Sequence, residues 1–187
     1  MNQLCRAAAL LAGAAVAVPT FAAEPRDLGH DNAEVGFQVT WLGLFKARGG
    51  FADYAGSFLF DPGEWSRSRV EFVARTDSVD VGDPHLNAQL RSPDYFDARR
   101  FSTLHFRSTA LERTGPDTGR LYGDMTLRGV TRPVTLSFEL RRSGDRERAE
   151  VLAVTSFKRS DFGMDHAVPL VSDRVQVELR VEDVPLR

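Results

Sequence analysis

The chain has 187 residues, of which 42% are hydrophobic and 27% charged, with 24 lysines and arginines against 26 aspartates and glutamates. This composition excludes a coiled coil, a collagen-like repeat, a disordered tail and a polytopic membrane protein, and one domain is expected at this length. A formal charge of −2 gives no overall attraction to nucleic acid or to anionic lipid headgroups, so we expect no nucleic-acid partner.

Residues 1–23 have the features of a secretory signal peptide in the right order. Arg6 is the positive start, residues 7–18 are an uncharged apolar run, and residues 20–22 offer a small-x-small cleavage pattern. A buried helix or a membrane anchor is the alternative, but the run is shorter than the roughly 20 residues that a spanning helix needs. We therefore expect cleavage, export to the periplasm and no stable insertion in the membrane.

The only cysteine, Cys5, lies within this expected signal peptide. A mature chain of residues 24–187 would then contain no cysteine, which excludes disulfides, thiolate metal sites and a cysteine nucleophile. No linker or internal repeat interrupts residues 24–187, so we predict that they form one domain.

Most of this domain alternates apolar and polar residues with period two, the pattern of strands with one buried face. The pattern predicts eight strands, at residues 34–41, 57–60, 69–76, 103–108, 121–127, 134–141, 151–157 and 174–181. Tight turns between them indicate an all-β, antiparallel sheet. Closing the sheet into a barrel would remove its exposed edges, and a two-sheet sandwich is the competing architecture.

One segment departs from the alternation, between the third and fourth predicted strands. Asp83 followed by Pro84 is typical of a helix start, and Leu86 and Leu90 follow four residues apart. We predict residues 84–97 as the only substantial helical region after the signal peptide. Its apolar side chains are too many for a free surface loop, so we expect it to cover the mouth of the barrel.

No constellation of residues in the sequence predicts catalysis. The four histidines, at positions 30, 85, 105 and 166, lack metal-ligand spacing, and no nucleophile elbow or phosphate-binding loop occurs. Asp161, Asp165 and His166 form a loose cluster that is more typical of a polar loop than of a metal site. We therefore expect no enzyme activity, no cofactor and no metal ion.

The apolar face of the predicted strands is rich in aromatic residues. At the size of an eight-stranded barrel, such side chains either fill the interior or surround one ligand, and the pattern leaves both open. We expect Phe37, Phe72, Phe106 and Phe138 to line one continuous cavity. The full set of predicted lining residues is Phe37, Val39, Trp41, Phe58, Phe60, Phe72, Leu90, Phe96, Phe106, Met125, Phe138 and Phe157.

Three stretches, in order, carry a family resemblance. Residues 83–108 (DPHLNAQLRSPDYFDARRFSTLHFRS), 123–136 (GDMTLRGVTRPVTL) and 157–164 (FKRSDFGM) resemble the YceI family of exported, lipocalin-like proteins, also called polyisoprenoid-binding. The resemblance extends over about residues 26–184. It implies an eight-stranded antiparallel barrel with an apolar tunnel for a long isoprenoid chain, and a periplasmic or secreted carrier rather than an enzyme.

The sequence departs from the family pattern at the expected rim. Trp41 stands where many members have histidine, and Gly82 replaces a basic residue before Asp83. Residues 144–154 also lack the family's insertion rich in tryptophan and glycine.

The third motif has a physical interpretation that needs no ligand. We expect Arg159, Asp161 and Gly163 to be structural, with Asp161 capping backbone amides at a corner between a strand and a loop.

The leading hypothesis is a carrier of a polyprenyl phosphate or of a quinone with an isoprenoid tail. The alternative is a packed-core secreted β-domain that acts as an interaction or stress-response module, and an isomerase or cyclase acting on a lipid is a weaker third. Arg91 is the candidate headgroup ligand, unless it pairs with Asp94 or Asp97 and fixes the turn. A homodimer is compatible with the sequence.

Overall fold

The computed structural model describes residues 24–142, 144 and 147–186 as an antiparallel sheet with one short helix. The predicted signal peptide, with Cys5, lies outside the described residues. Within them the strands are β1 (Arg26–Leu28), β2 (Ala33–Trp41), β3 (Phe45–Phe51), β4 (Tyr54–Leu59), β5 (Arg69–Arg75), β6 (Val79–Asp80), β7 (Thr103–Arg113), β8 (Thr118–Leu127), β9 (Val130–Arg142), β10 (Arg148–Lys158) and β11 (Arg174–Pro185), and the helix is α1 (Pro84–Leu90).

All the described strands belong to one sheet, in the order β1-β4-β5-β7-β8-β9-β10-β11-β2-β3-β6, which excludes the two-sheet sandwich. β3 and β4 lie near opposite ends of this order, yet only Ala52 and Asp53 separate them in the chain. The sheet must therefore curl to bring its ends together. Across the junction, the hydroxyl of Tyr54 on β4 donates a 2.5 Å hydrogen bond to the carbonyl of Ala33 on β2. The architecture is a curled antiparallel half-barrel.

The all-β class and the single short helix are confirmed, but the described chain contains eleven strands where the sequence predicted eight. β1 and β6 have three and two residues, too few to display alternation. β3 escapes the pattern because its residues 45–48 are exposed on both faces of a projecting hairpin, so they lack the contrast between a buried and a solvated side.

The helix begins as predicted but ends earlier. The Oδ1 atom of Asp83 accepts hydrogen bonds from two backbone amides of the first turn, at 2.8 and 3.1 Å, and Pro84 takes the first helical position. The predicted helical region reached residue 97, but α1 stops at Leu90 and residues 91–101 continue as turns.

The lower end of the half-barrel, around Trp65, is packed. The ring of Trp65 lies 5.6 Å from that of Phe60 and stacks on Phe138 with 5.7 Å between centroids, while the guanidinium of Arg113 lies 4.9 Å from its ring centroid. On β8 and β9 the inward residues are buried in alternation with exposed or half-buried polar ones. This part of the interior is a solid core.

Several inward phenylalanine rings lie over glycines of neighbouring strands. Phe138 is paired directly with Gly119, and Phe37 with Gly49. A methyl group on Gly119 would lie 2.4 Å from Cζ of Phe138, and one on Gly49 would lie 2.7 Å from Cζ of Phe37. The rings therefore lie against the wall, in space that only glycine leaves open.

We predict that Gly119→Ala destabilises the domain. The added methyl group would collide with the Phe138 ring and with a backbone carbonyl 2.8 Å away, and overpacking of this kind costs about 1–3 kcal/mol. Urea denaturation measures the free energy of unfolding. Gly36→Ala is the matched control, because its methyl group meets nothing closer than 3.7 Å. Equal unfolding free energies for the two variants would contradict the packing described.

Candidate functional site

Three segments surround the upper end of the half-barrel, which we call the mouth. They are the β2–β3 hairpin, the turns at residues 91–101 and the loop at residues 159–173. The loop is joined to the hairpin by the backbone, since the amide of Leu42 donates to the carbonyl of Leu170 over 2.7 Å. The mouth is therefore bounded by segments that are distant in sequence and fastened to one another.

The turns at residues 91–101 are anchored to the interior by a chain of aromatic rings. The ring of Phe96 makes an edge contact with Phe51 at 5.6 Å between centroids, and Phe51 lies 5.9 Å from Phe37 on the inner face of β2. Leu90, at the end of α1, is half-buried as well. The apolar residues of this segment thus pack onto the half-barrel, as a cover requires.

Polar contacts fasten the same segment to the rim. Arg128, in the turn between β8 and β9, donates hydrogen bonds to the carbonyls of Pro93, at 2.8 Å, and of Tyr95. The ring of Tyr95 packs edge-on against His166 of the loop, with 5.5 Å between centroids, and Nδ1 of His166 lies 3.9 Å from Asp94. The segment is held from two sides without belonging to the sheet.

The predicted lining residues differ in burial. Trp41 is 51% exposed, so it belongs to the rim at the end of β2 rather than to the interior. The buried ones, which belong to the core clusters, are Phe58, Phe106, Met125 and Phe138. The half-buried ones are Phe37, Val39, Phe60, Phe72, Leu90, Phe96 and Phe157.

Phe37, Phe72, Phe106 and Phe138, which were expected to line one continuous cavity, contribute to neither of two surface cavities described below, so that cavity stays a prediction. Two of these four rings are core, and the other two are half-buried. The accessible apolar surface of these four rings therefore belongs to Phe37 on β2 and Phe72 on β5.

Arg91 lies on an open groove of about 380 Å³ outside the sheet, together with Asp97 and Arg99. Its Nη2 atom is 3.5 Å from the carbonyl of Val79. Within the described chain it forms an ion pair with neither Asp94 nor Asp97, the pairing weighed from the sequence. Its exposed guanidinium lies at the edge of the covering segment, where it interacts electrostatically with Asp77 and Asp80.

The buried guanidinium of Arg159 organises the loop at residues 159–173. It is only 4% exposed, and it donates to the carbonyls of Met164 at 2.7 Å, Val171 at 3.1 Å and Ser172 at 3.1 Å. These bonds tie the start of the loop to its end, so this arginine shapes the rim from within.

The capping carboxylate of this loop is Asp173, not Asp161 as the sequence suggested. Asp173 accepts hydrogen bonds from the amide of Ser160 at 2.9 Å and from its hydroxyl at 2.8 Å, whereas Asp161 is exposed. Partial burial alone would raise the pKa of Asp173, but these hydrogen bonds and the charge of Arg159 outweigh it and hold the pKa below its ordinary value. Gly163 ends the turn with a φ of 74°, a conformation that favours glycine.

The second cavity, of about 290 Å³, lies beside the start of β2 and is lined by charged and polar side chains that include His30, Glu34 and Arg180. Tyr54 lies at its edge, and burial, followed by the charge of Glu34, raises the pKa of its phenol. Sequence reasoning did not single out this cavity, because its residues come from strands far apart in the chain.

No group of three or more histidine, cysteine, aspartate or glutamate residues in the described chain could hold a metal ion. Over the same residues, no helix combines the length and the apolar character needed to cross a membrane.

Sequence reasoning also missed the exposed apolar residues of the hairpin, residues 42–45. The signal that could have found them is the run Trp-Leu-Gly-Leu-Phe at residues 41–45, which forms a turn where polar residues are usual.

Comparison with known proteins identifies relatives of this chain in sequence and in fold. The chain matches the YceI-like domain over residues 27–183. A UPF0312 protein of Vibrio vulnificus is 33% identical over 177 residues, covering 90% of this chain and 92% of the relative. The crystal structure of Burkholderia cenocepacia BcnA aligns with a TM-score of 0.75 and 22% identity, over 81% of this chain and 96% of its own. A polyisoprenoid binding domain from Saccharophagus degradans aligns with a TM-score of 0.60 and 14% identity, over 82% and 94%.

We predict that Asp173→Asn loosens the loop and lowers stability at pH 7 by about 1–2 kcal/mol, the scale of hydrogen bonds to a charged group. Because the folded pKa of Asp173 is depressed, its contribution is present above the ordinary carboxyl pKa and is lost as pH falls through the folded value. Unfolding free energies of wild type and variant should therefore converge between about pH 5 and pH 3. Asp161→Asn is the control, and an equal loss in that variant would refute the assignment of Asp173 as the cap.

Proposed function

This chain belongs to the YceI family, and on that premise we propose that it is an exported, non-catalytic carrier that binds an isoprenoid lipid in its half-barrel. The cargo is a polyprenyl phosphate or a quinone with an isoprenoid tail. The match to the family domain supports this proposal, as does the likeness to the polyisoprenoid binding domain from Saccharophagus degradans. Export to the periplasm, directed by the predicted signal peptide at residues 1–23, is part of the proposal.

The observation that carries the proposal is the change in burial along the inner face. Phe37 and Val39, on the strand that leads to the mouth, are half-buried and stand outside the packed core, whereas Phe106 on β7 and Phe138 on β9 are buried in it. An apolar chain that enters at the mouth would cover the half-buried surface and meet a closed floor at Trp65. This arrangement suits a ligand with one apolar end and one polar end.

We propose that cargo lies along the predicted lining residues of the mouth and displaces the turns at residues 91–101. These turns contact the interior through the ring of Phe96 on Phe51, which in turn contacts Phe37. At their far end the buried hydroxyl of Thr76 donates to the carbonyl of Phe101 at 2.6 Å. An isoprenoid chain offers the same apolar contact that these rings give one another. Binding would then replace one set of apolar contacts by another, and the segment would act as a movable cover.

Burial of the tail is sufficient to supply most of the affinity. Each methylene-sized group removed from water contributes roughly 0.8 kcal/mol, so a few isoprene units need few polar contacts for tight binding. A tilted strand of about ten residues spans roughly 25 Å. A long prenyl chain must therefore bend within the half-barrel or project from the mouth.

The alternative function, a packed-core module that works through its outer surface, is favoured by one observation. Four of the twelve predicted lining residues, among them Phe106 and Met125, are buried in core clusters. A binding measurement separates the two functions, because a packed-core module takes up no lipid.

We predict that Val39→Asp weakens binding of a prenyl lipid by at least about tenfold, because a carboxylate in an apolar passage costs more than 1.4 kcal/mol unless it is paired. Titration with a fluorescent prenyl analogue measures the Kd. Val154→Asp, on the exposed outer side of β10, is the matched control and should bind as wild type does. Thermal denaturation of both variants verifies that each is folded. Unchanged binding by a folded Val39→Asp variant would contradict the proposed passage.

A second prediction concerns the headgroup. We expect Arg91→Ala to weaken binding of a prenyl phosphate by roughly 1.5–3 kcal/mol, the scale of a charge-assisted hydrogen bond, and to leave a neutral prenol almost unaffected. Arg141→Ala, on the exposed outer face of β9, controls for the loss of one positive charge. An equal loss for phosphate and prenol would mean that the substitution loosened the cover, and the headgroup role of Arg91 would be dropped.

A further inference from the structure

The described residues include eight exposed large apolar side chains, and six of them lie on the hairpin and the adjoining loop. Leu44 is 81% exposed and Phe45 60%. The two segments are joined by the hydrogen bond from Leu42 to Leu170 and by a bridge between Trp41 and Val171, so the six form one surface. We call it the apolar tip, and its residues are Trp41, Leu42, Leu44, Phe45, Val168 and Leu170.

The turn at the centre of the apolar tip has a leucine at a position where turn geometry favours glycine, asparagine or aspartate. Leu42 has a φ of 51° and Gly43 a φ of 71°, both in the left-handed region. Glycine, asparagine and aspartate suit such positions, whereas a leucine there destabilises the backbone. The hairpin therefore carries an exposed leucine that the backbone geometry of the turn does not explain.

A band of positive charge lies directly beneath the apolar tip, on the outer face of the sheet. Lys158 is paired with Arg174 across β10 and β11, and directly opposed residues of an antiparallel pair lie on the same face. Arg48 on β3 is paired with Gln38 on β2. Gln38 is paired in turn with Gln176 on β11, two residues after Arg174 and on the same face. Lys46 lies two residues before Arg48 on the same face. We call these four cations the basic band.

Few acidic residues oppose the basic band. On the same outer face the first acidic residue below it is Glu178, which is paired with Gly36. The hairpin at residues 38–48 contains no acidic residue. The loop contributes the exposed carboxylates of Asp161 and Asp165 and the half-buried carboxylate of Asp173, which interacts electrostatically with Lys158. Cations therefore remain in excess around the apolar tip, although the whole chain carries a net charge of −2.

We propose that the apolar tip and the basic band form a docking surface for an anionic lipid bilayer. The apolar side chains would enter the region between headgroups and acyl chains, where tryptophan is favoured, and the cations would meet the anionic headgroups. The inner-face residues Phe37 and Val39 continue along β2 to Trp41, so docking would turn the mouth toward the bilayer. Docking of this kind goes beyond lipid carriage and stands whether or not the interior holds a cargo.

The two tryptophans of the chain make the proposal directly measurable. Trp41 belongs to the apolar tip and is 51% exposed, whereas Trp65 is buried at the lower end. In a Trp65→Phe variant, the fluorescence of Trp41 alone should shift to the blue when vesicles of phosphatidylcholine with phosphatidylglycerol are added. Brominated lipids in the same vesicles should quench it. Because this signal comes from Trp41, it is not produced by residues 1–23. Trp41→Phe, which retains Trp65, should give neither response.

Paired substitutions separate the apolar and the charged contributions, with binding measured by co-flotation. Leu44→Ser with Phe45→Ser should weaken vesicle binding by at least about tenfold, because it removes the two most exposed side chains of the apolar tip. Leu86→Ser with Val154→Ser is the control, because it removes the two large exposed apolar residues of the described chain that lie outside the tip. It should leave vesicle binding unchanged.

Lys46→Gln with Arg48→Gln should reduce binding to anionic vesicles to the level seen with pure phosphatidylcholine. Arg120→Gln with Arg141→Gln, two exposed residues on the outer faces of β8 and β9, is the charge-matched control.

Three results would overturn the proposal. The first is a combination of two results. Brominated lipid would fail to quench Trp41 in a folded Trp65→Phe variant, and the Leu44→Ser, Phe45→Ser double variant would co-float with vesicles as well as wild type does. The second is a wild-type dimer in sedimentation together with a monomeric double variant, because the apolar tip would then bind a second copy of the chain. The third is loss of vesicle binding in the Val39→Asp variant, which would assign the vesicle binding to cargo uptake. If this variant loses prenyl binding but still binds vesicles, the result supports docking and separates it from carriage.

Discussion

The fit of inward phenylalanine rings over glycines is the constraint on which this half-barrel depends. A curled antiparallel sheet has a narrow interior, and the rings of Phe138 and Phe37 lie within it because Gly119 and Gly49 present no side chain opposite them. The ring of Phe138 also stacks on buried Trp65, which packs the lower end. The ring of Phe37 on β2 is only half-buried, so the same packing scheme also leaves apolar surface that is partly uncovered.

The mouth combines one side that is tied by buried polar contacts with another that we propose to be movable. Arg159 binds three carbonyls of the loop at residues 159–173, and Asp173 holds Ser160 at the start of that loop, so this side is rigidly defined. The turns at residues 91–101 lie outside the sheet and are held by aromatic contacts, by Arg128 and by a hydrogen bond from the hydroxyl of Thr76 to the carbonyl of Phe101. A carrier needs this asymmetry, because cargo can enter only if one wall yields while the other keeps its shape.

Sequence patterns predicted the parts of this molecule in which one face is buried and the other solvated. The alternation on β8 and β9 and the start of α1 at Asp83 are examples, since each signal is local. The burial of Phe106 and Phe138 in a filled core depends on how far the sheet curls, and Asp173 replaces Asp161 as the cap through a contact across thirteen residues. Such features depend on long-range contacts, which no local pattern specifies.

Mass spectrometry of the organic extract of the purified chain tests the proposed carriage most directly. The chain should be expressed with its own residues 1–23, purified without detergent, and extracted in parallel with the Val39→Asp variant. The account predicts a prenyl lipid at close to one molecule per chain in the wild-type extract and its loss from the variant. A wild-type extract free of prenyl lipid, together with no saturable uptake of a supplied prenyl phosphate or prenol, would contradict it.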